Sequence, residues 1–195
     1  YPIALPIGFE QSINGLVNLV DMKAYTYNDY KDHNLTQGPI PADMVEKANE
    51  YREKLLEKVV EYDDAMMEKY LGGEEITNDE LKELVRKATL SSKFYPVLGG
   101  DGRGTIVACL LDSIIDYLPS PVDIDPDKGI NPKTDEEVQV KATDDEPMAA
   151  LAFKIAADPF VGKLVFFRVY RGILRKGTYV LNLTTGNKER IEYIC

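Results

Sequence analysis

Hydrophobic spacing changes character along this chain, and that change limits the available folds more than any other feature. From residue 42 to 118 apolar side chains recur every three or four positions, the period of an amphipathic helix. From residue 150 they alternate, the period of a strand with two different faces. One layer cannot satisfy both periods, so the 195 residues are expected to form a helix-rich part and an all-β part. A hydrophobic fraction of 44% is enough to build a core, and a charged fraction of 29% keeps the outside solvated.

Before the helices, residues Ile3 to Tyr27 read as short strands punctuated by Gly8 and Gly15. After Gly38-Pro39-Ile40-Pro41, a long helix is expected from Ala42 to Glu61, with Pro41 suiting its first turn better than Asp43 suits a cap. A second helix should run from Asp63 to Leu71 and stop at Gly72-Gly73. A third should start at Thr77, which makes a capping box with Glu80, and bury Leu81, Leu84, Val85 and Ala88. Phe94 to Leu98 then reads as a strand entering a glycine loop at residues 99–104. An apolar helix from Thr105 to Leu118 follows, ended by Pro119-Ser120-Pro121. Residues 122–146 are polar and rich in Pro and Asp, a linker with a loosely held strand or two. Strands from Ala150, Lys163, Thr178 and Lys188 indicate a barrel, but four strands close one poorly, so further strands are expected beyond Cys195.

Charge is as unevenly distributed as hydrophobicity. Asp43 to Glu83 carries 14 acidic and 6 basic residues, whereas Ala149 to Cys195 carries 3 acidic and 8 basic. On the first long helix Glu46, Glu50, Glu53, Glu57 and Glu61 fall within roughly 80° of arc. Met44, Ala48, Tyr51, Leu55 and Tyr62 lie opposite. Such a stripe is either a solvated face or a surface for a basic partner. In the all-β part, Arg168, Arg171, Arg175, Lys176, Lys188 and Arg190 flank turns, where they can hold phosphates without reading sequence.

Catalytic and metal constellations do not assemble. His33, the sole histidine, sits in a polar turn and has no Ser or Cys partner pattern, and Cys109 and Cys195 lack the spacing of a zinc site. Two cysteines without a disulfide framework suit a reducing compartment. No apolar run reaches membrane-spanning length, and the start Tyr1-Pro2-Ile3-Ala4-Leu5-Pro6 has no export signal. The missing Met and the abrupt end at Ile194-Cys195 read as an internal segment of a cytoplasmic multidomain protein. The loop Gly100-Asp101-Gly102-Arg103-Gly104 has neither the G-x-G-x-x-G spacing nor the Gly-Lys-Ser/Thr of a P-loop. It reads as a plain strand-to-helix turn or as a loop touching a base or another chain segment.

Several stretches together resemble bacterial elongation factor G across essentially the whole chain. They include Leu5-Pro6-Ile7-Gly8, Asp21-Met22-Lys23-Ala24, Met67-Glu68-Lys69-Tyr70-Leu71 and Asp116-Tyr117-Leu118-Pro119-Ser120-Pro121. Asp144-Asp145-Glu146-Pro147, Leu151-Ala152-Phe153-Lys154-Ile155 and Asp158-Pro159-Phe160-Val161-Gly162-Lys163 continue the likeness. The resemblance implies a multidomain fragment of mixed α+β and α/β class. Residues 1–93 would be the G prime insertion of the GTPase domain, a helical hairpin on a small sheet. Residues 94–118 would be the last strand and helix of that P-loop-type domain, and 119–195 the first part of the domain II β-barrel. It further implies that Glu53, Glu57 and Glu61 dock the C-terminal domain of the large-subunit stalk protein. Domain II would touch small-subunit ribosomal RNA, with Arg171, Arg175 and Lys176 the candidates here. GTP and Mg²⁺ belong to the full-length parent, a GTP hydrolase; their motifs lie outside this segment, which is expected to hold no cofactor, metal or catalytic residue. The family's Ser-Ala-Phe/Leu-Lys loop against guanine is replaced here by a shorter stretch, with Asp101 and Gly102 nearest the expected positions. Another ribosome-associated GTPase of the protection or release type, or a non-enzymatic acidic interaction module, are the alternative readings.

Overall fold

The computed structural model describes every residue except 30–33, 103–104, 161 and 195. His33, Cys195 and part of the glycine loop therefore lie outside the described residues. The chain divides into two compact units, Tyr1–Pro119 and Ser120–Cys195. Together they form a mixed α+β protein with four helices and several antiparallel sheets among the described residues.

Unit 1 opens with a four-stranded antiparallel sheet in sequential order, β1 (Ala4–Ile7), β2 (Gly15–Asn18), β3 (Lys23–Thr26) and β4 (Thr36–Gly38). Gly15 pairs with Thr26, and a Cβ at that position would lie 2.4 Å from the Tyr25 carbonyl oxygen, so no side chain fits between these strands. The helices follow: α1 (Val45–Val60), α2 (Asp64–Leu71), α3 (Asn78–Leu90) and α4 (Val107–Tyr117). The first begins three residues later than expected. Residues 42–44 form a turn in which Met44 N donates to Pro41 O, and neither Asp43 nor any other side chain caps it. For α2 the Asp63 carboxylate accepts from Met66 N, and for α3 the Thr77–Glu80 capping box is formed in both directions.

One apolar cluster joins these elements. Val17 from the sheet and Leu19 from the turn after β2 meet Ala48, Leu55 and Val59 from α1, Leu81, Leu84, Val85 and Ala88 from α3, and Phe94 and Tyr117 further on. Burying an aliphatic side chain of this kind contributes about 1.5–3 kcal/mol before entropy is counted, which makes this cluster the main stabilising feature of the unit. The stretch 94–98 does not form the expected strand. It makes a single parallel bridge, Pro2 to Val97, because the only backbone alongside it among the described residues is Tyr1–Ile3.

Unit 2 consists of three separate antiparallel pairs among the described residues. These are β5 (Asp127–Ile130) with β6 (Glu137–Val140), β7 (Ala149–Asp158) with β8 (Gly162–Arg171), and β9 (Tyr179–Asn182) with β10 (Asn187–Arg190). The first pair lies inside the stretch read as a linker with loosely held strands. The expected barrel is not closed, since each strand pairs on one edge only. In β7, Ala152 pairs with Phe167 and Lys154 with Phe166, which leaves Phe153 as the extra residue of a bulge and interrupts the alternation. Gly172 follows β8 at φ +69, with its N–H 2.7 Å from Thr143 O. A Cβ there would sit 2.6 Å from Glu146 O, so this close approach requires glycine.

Candidate partner-binding face

The acidic stripe forms as the helical spacing predicts: Glu46, Glu50, Glu53, Glu57 and Glu61 are all exposed on α1, while Ala48, Leu55 and Val59 beneath are buried. Leu56, Tyr51 and Tyr62 are half-buried against the core, so the helix has one committed face and one free face. Asn49, Glu50, Glu53, Lys54 and Glu57 line a shallow depression of about 380 Å³ on that free face.

The carboxylates of the stripe are not equivalent. Glu50 pairs with Lys54 at 2.5 Å, and Glu61 pairs with Lys58 at 2.5 Å. Each bond raises the pKa of its lysine, and the Lys54 bond lowers that of Glu50. Glu53 accepts from the Tyr70 hydroxyl at 3.2 Å, which ties the stripe to α2. Glu57 makes no hydrogen bond or ion pair with another described residue, although its field adds to the upward push on Lys54 and Tyr70. Of Glu53, Glu57 and Glu61, Glu57 therefore has the most charge left to offer a partner.

A residue that sequence reasoning passed over sets the helix in place. Arg52, half-buried beneath the stripe, donates from Nη1 to Leu19 O at 2.7 Å and to Val20 O at 2.6 Å, and from Nη2 to Asn78 Oδ1 at 2.8 Å. It thus connects α1 to the turn after β2 and to the start of α3. Desolvation by burial lowers its pKa, against the fields of Asp21 and Glu75. The sequence signal was its helical position: at 100° per residue Arg52 falls among Ala48, Leu55 and Val59 on the face opposite the stripe.

The other candidate positions are dispersed. In the glycine loop, the Asp101 carboxylate lies 3.3 Å from the Tyr27 hydroxyl, which also donates to Ile13 O at 2.9 Å. Asp101 thereby docks onto the sheet of unit 1, and its negative charge at the loop makes a poor seat for phosphate. A Cβ added at Gly102 would meet open space. The Cys109 thiol is pushed up in pKa by burial, which suits a packing role. Among the described residues no group of three His, Cys, Asp or Glu side chains could hold a metal ion.

The three cations proposed for RNA contact separate in unit 2. Arg171 donates from Nε to Pro147 O at 3.0 Å and pairs with Glu146 at 3.6 Å, so it holds the stretch before β7 against the end of β8. Arg175 and Lys176 are exposed at the following turn, with the Lys176 amine 4.5 Å from the centre of the Tyr193 ring. No described helix is long and apolar enough to cross a membrane.

No protein-family model matches the sequence. The fold is similar to that of a crystal structure of a protein from Thermus thermophilus, with 29% sequence identity and a TM-score of 0.69. The likeness covers 97% of this chain and 26% of that one, so the present chain spans about a quarter of its solved neighbour's length.

Proposed function

We propose that this chain is part of a ribosomal translocation GTPase of the elongation factor G type, working in the cytoplasm and serving as its docking segment. Unit 1 corresponds to the G prime insertion with the last helix of the GTPase domain, and unit 2 to part of the domain II β-barrel. The observation that carries the reading is the α1 stripe, with five exposed carboxylates on a helix that Arg52 ties to its neighbours and with Glu57 left without a lysine partner. A basic partner surface, such as the C-terminal domain of the large-subunit stalk protein, is complementary to it. Exposed charge pairs contribute only about 0.2–1 kcal/mol each but accelerate encounter, so the interaction is weak, fast and salt-sensitive. The exposed Arg175 and Lys176 are the remaining candidates for small-subunit ribosomal RNA. The parent enzyme's GTP and Mg²⁺ chemistry lies outside this segment.

Calorimetric titration with the stalk domain at low and moderate salt tests this. Binding should weaken as salt rises, because Debye screening shortens from about 30 Å at 0.01 M to about 10 Å at 0.1 M. Glu57→Lys with Glu61→Lys should weaken it by about tenfold or more, reversing two charges at the contact, and leave the circular dichroism unchanged. Unchanged affinity in the double variant would remove the stripe from the site. Heat from GTP with none from the stalk domain would overturn the reading altogether.

A further inference from the structure

Helix α4 ends without any cap of its own. No basic residue occupies its last turn, Leu118 leaves it in an extended conformation, and Pro119 follows immediately. The last carbonyls of a helix need donors from elsewhere, and here one side chain from another helix supplies them. Arg86 of α3 brings Nη1 to 2.8 Å from Asp116 O, 3.3 Å from Ile115 O and 3.4 Å from Leu118 O. One turn earlier on α3, Lys82 pairs with the Asp116 carboxylate at 2.8 Å.

Apart from Tyr117, which is buried in the main core, the apolar side chains of the last two turns of α4 anchor it lightly. Leu110, Leu111, Ile114 and Ile115 are exposed, and the helix contributes to the main core chiefly through Tyr117. The guanidinium also places positive charge at the negative end of the α4 dipole, which adds to the hydrogen bonds. Arg86 sits on the same helix that buries Leu81, Leu84, Val85 and Ala88 against α1 and the sheet.

We infer that Arg86, assisted by Lys82, latches the exit turn of α4 to the helical body that carries the acidic stripe, and so fixes the point at which the chain leaves unit 1. Arg86 is a positioning residue that acts through the carbonyls of Ile115, Asp116 and Leu118. The inference goes beyond the docking reading and does not depend on it, because no partner enters the argument. Its consequence is that loss of the latch frees the exit turn without unfolding the core.

Residue-resolved hydrogen exchange on the 195-residue chain tests the latch. In Arg86→Ala the amides of residues 114–118 should exchange about tenfold faster or more, the expected effect of losing charge-assisted hydrogen bonds, with amides of residues 55–60 in α1 changing less than about twofold. Arg86→Lys keeps the charge but replaces the fork with a single ammonium, so its exit turn should fall between wild type and Arg86→Ala. Lys82→Ala should have a smaller effect, because that pair is half-exposed. Unchanged exchange at 114–118, or a uniform rise across α1, α3 and α4, would overturn the inference. If Arg86→Ala does not fold, Arg86→Lys decides: a rise confined to the exit turn supports the latch, and no rise sinks it.

Discussion

Arg52 stabilises α1 through hydrogen bonds to the turn after β2 and to the start of α3. Its guanidinium reaches two carbonyls at residues 19 and 20 and the Asn78 side chain, so removing it leaves three acceptors without this donor beside a packed core. Hydrogen bonds from a charged group contribute about 1.5–3 kcal/mol, less where water can replace them. Arg52→Met keeps most of the stem packing and deletes the donors. It should therefore lower the unfolding free energy by about 2–3 kcal/mol in urea, the cost of those bonds after partial rehydration. A loss below about 0.5 kcal/mol, the range of neutral surface changes, would mean that α1 is oriented by its apolar face alone. Residues of this kind are where the sequence is hardest to read. Arg86 looks like a solvated charge at a polar helix position, whereas Arg52 stands on the apolar side of α1; for both, the partners are backbone carbonyls about thirty residues away, which periodicity does not identify. The stripe itself was legible, because charge at helical spacing is a local property. The pairs Glu50–Lys54 and Lys58–Glu61 stand at spacings the sequence offers, but Lys54 lies within reach of both Glu50 and Glu57, and only the folded geometry decides for Glu50.

Helix α3 shows the same division at the scale of an element. Its start is written locally: the Thr77 hydroxyl accepts from Glu80 N at 3.3 Å, and Glu80 Oε2 accepts from Thr77 N at 2.8 Å. The fold adds Lys69 from α2, whose amine lies 2.6 and 2.8 Å from the two Glu80 oxygens. The Lys69 bond first, and then the Thr77 amide and hydroxyl, bring the Glu80 pKa down from 4.5 to about 2. Because the folded pKa is depressed, this stabilisation is fully present above the unfolded value and is lost as pH falls towards the folded one. The urea midpoint of the wild type should therefore drop between pH 4.5 and 2, and Glu80→Gln should drop less over that interval. Asp63, lowered by Lys87 and the Met66 amide, will account for part of the remaining slope. Parallel slopes for the two proteins would mean that the α2–α3 ion pair is too well screened to matter. The 94–98 segment is the counterexample among the elements. Its composition is strand-like, yet a strand is a relation between two backbones, and Tyr1–Ile3 provides only one bridge.

Across the whole molecule, the two units, Tyr1–Pro119 and Ser120–Cys195, differ in what holds them together. Unit 1 fully buries Leu16, Leu19, Leu55, Leu81, Val85 and Phe94, whereas in unit 2 Leu151, Phe153 and Ile155 are 55%, 63% and 63% exposed. The period-2 pattern specified strands correctly. It could not specify closure, because alternation marks which face needs cover and not what covers it. Two-stranded pairs without a packed face are marginal in water, since backbone hydrogen bonds alone do not offset an ordering cost of about 1–2 kcal/mol per residue. Hydrogen exchange should accordingly separate the units. Amides of β2, α1 and α3 should exchange together at the slow rate set by global unfolding of unit 1, and those of β7 and β8 should exchange faster by about 10²-fold or more, as expected for a pair lacking core support. A Leu55→Ala variant should lose about 2–5 kcal/mol, speeding exchange throughout the unit 1 elements and leaving β7–β8 unchanged. Equal protection of both units in the wild type would mean that the β7–β8 face is covered in solution. In the proposed parent that cover would come from further barrel strands, and sedimentation of this chain at several concentrations would show whether a second copy supplies it.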